Sequence, residues 1–75
     1  MGKNQSMTAA DCGKAMRKYR ESIGMSIWTL GQMSGVHPNT ISNYELGKYG
    51  PSLVNVIALA DALDISIDQY IGRKA

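Results

Sequence analysis

Apolar residues recur at helical spacing in five successive stretches, and each stretch is bracketed by residues that start or stop a helix. In the first, Cys12, Met16, Tyr19 and Ile23 share one face while Lys14, Arg17, Lys18 and Glu21 fall on others. Thr8 with Asp11 predicts a capping box, with Asp standing where Glu is preferred and Met7 placed to staple onto Cys12; Gly24 supplies a left-handed terminator. Ser26 predicts the cap of a second helix over about 27–34, with Leu30 and Met33 inward and Gly35 at its end. His37-Pro38 opens a third helix, since proline costs nothing in a first turn. Ile41 and Tyr44 face inward there, Asn39, Ser42 and Asn43 outward, and Gly47 closes it. After the loop Lys48-Tyr49-Gly50-Pro51, Ser52 caps a fourth helix with Leu53, Val56, Leu59, Ala60 and Leu63 on one face. Ser66 with Gln69 boxes a short fifth helix bearing Ile67, Tyr70 and Ile71. No strand pattern appears, so the expected fold class is all-α, a compact bundle of five short helices.

Seventy-five residues hold one core. The expected boundaries are a flexible arm at 1–7, a helical domain at 8–72 and a tail at 73–75. A chain this short buries only about 60% of its unfolded surface, which leaves stability marginal. Cys12, the lone cysteine, has no disulfide partner in the chain and reads as a small core residue; with His37 the lone histidine, the usual zinc spacings are excluded. No metal or cofactor is expected. No apolar run is long enough to span a bilayer and no signal-peptide pattern opens the chain, so the expected location is the cytoplasm, at the nucleoid, without a membrane partner. Met1-Gly2 with Ser6 matches the short myristoylation pattern, yet Lys3 meeting a phosphate, or plain disorder, accounts better for a polar arm. The formal charge of +2 matters less than its distribution. Lys3, Lys14, Arg17, Lys18, Arg20 and Lys48 meet only Asp11, Glu21 and Glu45 in the first 48 residues, whereas Arg73 and Lys74 are outnumbered by Asp61, Asp64 and Asp68. A basic front half suits a nucleic-acid face.

Two short helices joined by a turn holding Gly35 have the geometry of a helix-turn-helix, whose second helix enters the major groove. The third helix offers Pro38-Asn39-Thr40 at its leading end, with no acidic group before Glu45. Asn pairs bidentately with adenine, Thr and Ser reach phosphates or bases, and a helix N-terminus attracts phosphate. On spacing alone, ordinary capping and solvent-facing residues account for the same pattern equally well.

A longer constellation distinguishes the two. Gly24-Met25-Ser26, Leu30, Gly35-Val36-His37, Thr40-Ile41-Ser42, Tyr44-Glu45, Gly47-Lys48, Pro51-Ser52-Leu53 and the run Leu59 to Asp68 resemble the Cro/C1-type helix-turn-helix family of prokaryotic and phage regulators, also called the xenobiotic-response-element family. The resemblance covers roughly residues 13–71 and implies a lambda-repressor-like domain with the motif at helices 2 and 3. It implies base contacts from Pro38, Asn39, Ser42 and Asn43, and phosphate contacts from Ser26, Ile27, Thr40 and Lys48. It also implies a buried structural ion pair between Arg20 and Glu45, which would otherwise read as two unconnected surface charges worth little. The implied partner is a double-stranded DNA operator, expected to be an inverted repeat bound by a homodimer, and the implied role is repression rather than catalysis.

Three positions depart from the family pattern. Ile27 and Pro38 stand where a polar side chain usually braces another, making an apolar pair. Gly31 replaces the usual Ala at about 0.5–1 kcal/mol of helix stability, a cost consistent with closer helix approach. His37 replaces a hydroxyl cap and is expected to be structural. Val54 and Ile57 fall off the core face of the fourth helix and form a candidate subunit contact, with Tyr70 and Ile71 as candidate additions. The rival readings are an antitoxin that binds a toxin protein, for which an extra wrapping segment is expected and none is seen, and a protein-interaction module with an acidic third helix, which this chain lacks. No fused sensor domain is expected.

Overall fold

The computed structural model describes residues 8–70, which form α1 (Ala9–Ser22), α2 (Ile27–Ser34), α3 (Pro38–Glu45), α4 (Leu53–Leu63) and α5 (Ile67–Tyr70), with no strand among them. The expectations placed on Met7, on the arm at 1–7 with its Gly2–Ser6 pattern, on Ile71 and on the tail lie outside the described residues. α3 packs on α1 and α2, α2 also on α4, and α5 closes the other end against α4 and α1.

The start signals act as the sequence predicts. Thr8 Oγ1 accepts from the Asp11 N–H at 3.0 Å and Asp11 Oδ2 accepts from the Thr8 N–H at 3.2 Å, a reciprocal box that also lowers the Asp11 pKa. Ser66 and Gln69 form the same arrangement before α5, while Ser26 and Ser52 cap α2 and α4. Gly24, Gly35 and Gly47 are left-handed.

The core is Met16, Leu30, Val36, Ile41, Tyr44, Leu59, Ala60, Leu63 and Tyr70. Full burial of one such aliphatic side chain stabilises the fold by about 1.5–3 kcal/mol. The Tyr70 hydroxyl donates to Met16 Sδ at 3.4 Å across the core, and burial pushes its pKa upward. Burial likewise pushes the Cys12 thiol up, away from the reactive thiolate.

Three inward assignments fail, each near the end of a helix. Ile23 is exposed because it caps α1, where the chain has already left the helical face. Met33 is exposed because α2 turns Ile27, Leu30, Gly31 and Ser34 inward, a stripe one position removed from it. Leu53 begins α4 beyond the edge of the core and is 73% exposed, while Val56, Leu59, Ala60 and Leu63 continue its row into contact. Ile67, first in α5, is also exposed. Tyr70 is only 1% exposed, which removes it from any subunit contact.

Candidate nucleic-acid interface

The C-terminal end of α3 is fixed against α1. Arg20 Nε donates to Glu45 Oε2 at 2.7 Å and Nη2 to Oε1 at 2.9 Å, a bidentate pair with both residues only 8% exposed. The third arm of the guanidinium, Nη1, donates to the Met25 carbonyl at 2.8 Å, which ties the α1–α2 corner to the same point. Its carboxylate partner raises the Arg20 pKa further. Beside this pair the helices touch through backbone: a Cβ at Gly13 would lie 2.1 Å from the Tyr44 carbonyl oxygen. Gly13 is buried, and the reading of α1 from its large apolar residues missed it. Gly47, at φ +76°, continues the approach, since a Cβ there would come within 2.8 Å of Ala10 Cα.

The N-terminal end of α3 is held by shape. Pro38 packs on the bare face of α2, where a Cβ at Gly31 would meet Pro38 Cγ at 3.1 Å and the Val36 carbonyl oxygen at 3.0 Å. Ile27 packs partly against the core, and Gly31 is a close neighbour of Pro38 on α2. A hollow of about 270 Å³ lies beside this contact, walled by Trp28, Gly31, Gln32, Val36, His37 and Pro38. His37 caps α3 through Nδ1, which accepts from the Asn39 N–H at 3.0 Å.

That cap changes the anion chemistry expected at the helix tip. Pro38 has no N–H and His37 engages that of Asn39, leaving α3 fewer spare donors than an ordinary helix start. In α2 the Ser26 hydroxyl accepts from the Thr29 N–H at 3.0 Å, and Leu30 bonds back to Ser26. The N–H groups of Ile27 and Trp28, earlier in that turn, are the kind that bind phosphate.

Among the anticipated base-contacting residues, Asn39 is exposed, Pro38, Ser42 and Asn43 are half-buried, and Asn39, Ser42 and Asn43 follow the i, i+3, i+4 spacing of one helix face. Leu46, 62% exposed, extends the row by three residues. Thr40 is half-buried beside it, Lys48 is exposed in the following loop, and Ser26 is exposed at the head of α2. Because Glu45 is the one carboxylate of α3 and is buried against Arg20, the outer surface of this helix carries no negative charge. Asn43 is not free: its Nδ2 donates to Tyr49 Oη at 3.1 Å. Tyr49 in turn lies edge-on to Tyr44, with ring centroids 5.5 Å apart, and the Tyr44 hydroxyl accepts from Asn55 Nδ2 at 2.9 Å. The sequence reading singled out neither Leu46 nor Tyr49. Leu46 was signalled by the three-residue step from Asn43; nothing local signalled Tyr49.

A family model described as helix-turn-helix matches residues 16–70. The chain belongs to the Cro/C1-type helix-turn-helix family of DNA-binding transcription regulators. Over 60 residues it is 32% identical to the cryptic phage CTXphi transcriptional repressor RstR of Vibrio cholerae, a match covering 80% of this chain and 54% of that protein. The match thus spans about half the length of that curated relative. Among solved structures, the restriction-modification controller protein C.AhdI of Aeromonas hydrophila superposes with a TM-score of 0.80 at 34% identity, over 83% of this chain and 94% of that one. The P22 c2 repressor, solved in complex with a synthetic operator, superposes with a TM-score of 0.77 at 30% identity, over 84% and 96%. In this family's fold the bundle is lambda-repressor-like, with α2 and α3 as the helix-turn-helix. Among the described residues no helix is long and apolar enough to cross a membrane.

Proposed function

We propose that this family member is a sequence-specific repressor that occupies a double-stranded DNA operator and reads it through the major groove with α3. The observation that carries the reading is the surface of α3: a row of small neutral hydrogen-bonding side chains from which the helix's only carboxylate has been withdrawn into an ion pair. Asn39, Ser42 and Asn43 read base edges, with Pro38 against an apolar edge such as a thymine methyl. Ser26, Thr40 and Lys48 hold phosphates, and Ile27 does so through its backbone N–H rather than its side chain. RstR, named a repressor, and the operator-bound P22 c2 repressor support the assignment of role and ligand. Two copies bind an inverted repeat in the cell interior, with half-sites about one helical turn, roughly 34 Å, apart. Val54, 74% exposed, and Ile57, 46% exposed, offer the apolar surface for their contact, with Leu53 beside them.

Selection from a random DNA pool followed by mobility-shift titration at several salt concentrations tests the reading. The expected result is a preferred inverted repeat with salt-dependent affinity, and a Lys48→Ala variant that weakens all sequences alike and lowers the salt slope by about one unit. Equal affinity for every sequence, or none at low salt, would sink it.

A further inference from the structure

A chain of contacts runs outward from the core to Asn43. Asn55 of α4 donates to the buried Tyr44, the ring of Tyr44 takes Tyr49 edge-on, and the hydroxyl of Tyr49 accepts from Asn43. A side-chain amide at a groove-facing helix position ordinarily turns about its last torsion and exchanges donor for acceptor. Adenine tolerates one of those two states. Its major-groove edge needs an acceptor opposite N6–H and a donor opposite N7, which only one amide orientation supplies. A tyrosine hydroxyl accepts from the amide N–H, as here, or donates to Oδ1. Tyr49 therefore fixes where the Asn43 side chain lies, the base sets which way its amide faces, and a donor and an acceptor remain for adenine.

We propose that Tyr49 is a positioning residue for base recognition, holding the Asn43 side chain in one place on the outer face of α3, so that reading of one A·T pair of each half-site is sharpened through a residue in the loop after α3. The inference rests on α3 being the DNA-reading helix. Tyr49 is suited to the part because its ring is anchored by Tyr44 while 47% of its surface remains accessible at the rim. The role differs from that of Lys48 next to it, which meets charge and is blind to sequence.

The test uses the whole chain, the selected site and a panel of single-base variants, with four proteins: wild type, Asn43→Ala, Tyr49→Phe and the double variant. Tyr49→Phe keeps the ring contact with Tyr44 and removes only the hydroxyl, so its melting temperature should match wild type. Discrimination at the base pair read by Asn43 should fall about 3- to 10-fold, the range expected from one net hydrogen bond, while affinity for unrelated duplex stays unchanged. The double variant should discriminate no worse than Asn43→Ala alone. If Asn43→Ala abolishes a preference that Tyr49→Phe leaves intact, the positioning role is wrong although the groove reading stands. A Tyr49→Phe variant that weakens all sequences equally would overturn the positioning role in the same way. A wild-type protein without any base preference, or an Asn43→Ala variant that keeps every preference, would instead bring down the groove reading and this inference with it.

Discussion

The two ends of α3 are held by opposite chemistry. At its C-terminus a bidentate ion pair, a third hydrogen bond to the α1–α2 corner and two backbone approaches through Gly13 and Gly47 lock the helix to α1. At its N-terminus a proline ring rests against a glycine, and one imidazole nitrogen supplies the cap. Directional bonds fix position along and around the helix axis, whereas a shape contact fixes mainly the distance between two surfaces. The C-terminal end therefore sets where the row Asn39–Ser42–Asn43 points, and the N-terminal end sets how far α3 stands from α2. The lock also keeps the one carboxylate of α3 away from its outer face.

The largest effect should come from breaking the lock. Glu45→Ala leaves the Arg20 guanidinium buried without its partner and is expected to cost about 3–5 kcal/mol. For a domain of this size that lowers the melting temperature by more than 10 °C, at roughly 4–8 °C per kcal/mol. A double-mutant cycle with Arg20→Met should show strong coupling, and coupling near zero would mean that the pair does not fix α3. Next, Gly13→Ala should destabilise by about 2–3 kcal/mol, because the obstructing atom is the Tyr44 carbonyl oxygen and backbone cannot swing aside. The intrinsic helix preference for Ala over Gly, about 1 kcal/mol, works in the opposite direction. A Gly13→Ala protein as stable as wild type would show that α1 and α3 have room to spare.

This contrast also explains what could be read from the chain itself. Five helices were legible because caps are local: Thr8 with Asp11, Ser26, Ser52 and Ser66 with Gln69 act on the three residues that follow them. Interior positions of each apolar stripe were legible too, but Ile23, Met33 and Leu53 were not, since the stripe's period says nothing about where the core ends. Arg20 and Glu45 lie 25 residues apart, and only the family resemblance connected them. Gly13 escaped because a close approach is marked by a missing side chain, which an apolar pattern does not register. Tyr49 escaped because its partner Asn43 and its support Tyr44 are brought to it by the turn of α3 into the loop, a tertiary fact.

The N-terminal end should answer more softly. Gly31→Ala places a methyl 3.0 Å from the Val36 carbonyl oxygen and 3.1 Å from Pro38 Cγ, tight but not prohibitive, and the helix gains Ala's better propensity. A net loss of about 1 kcal/mol is expected, with a larger proportional loss of base discrimination than of stability, because the shift falls on the DNA-facing tip. Replacing Pro38 by Ala in the same protein should restore part of the stability but not the discrimination that Pro38 itself supplies, and thermal denaturation alongside titration of the base-variant panel reads the coupling. Additive effects of the two changes would separate Gly31 from the placing of α3.

The smallest effect belongs to the cap. His37→Ala removes the acceptor for the Asn39 N–H, and a lost side-chain cap typically costs about 0.5–2 kcal/mol; an exposed imidazole belongs at the low end of that range. His37→Asn should be neutral or slightly stabilising, since Asn is among the preferred caps and Nδ1 here acts only as an acceptor. The DNA consequence has the opposite sense to the stability consequence. Removing the imidazole returns the Asn39 N–H to the helix tip, where it becomes a spare donor for phosphate, so binding to unrelated duplex should hold or tighten slightly while the fold weakens. Parallel melting curves and low-salt titrations of wild type, His37→Ala and His37→Asn check this. A His37→Ala protein that loses as much stability as Glu45→Ala would overturn the comparison, because the two ends of α3 would then be held with equal strength.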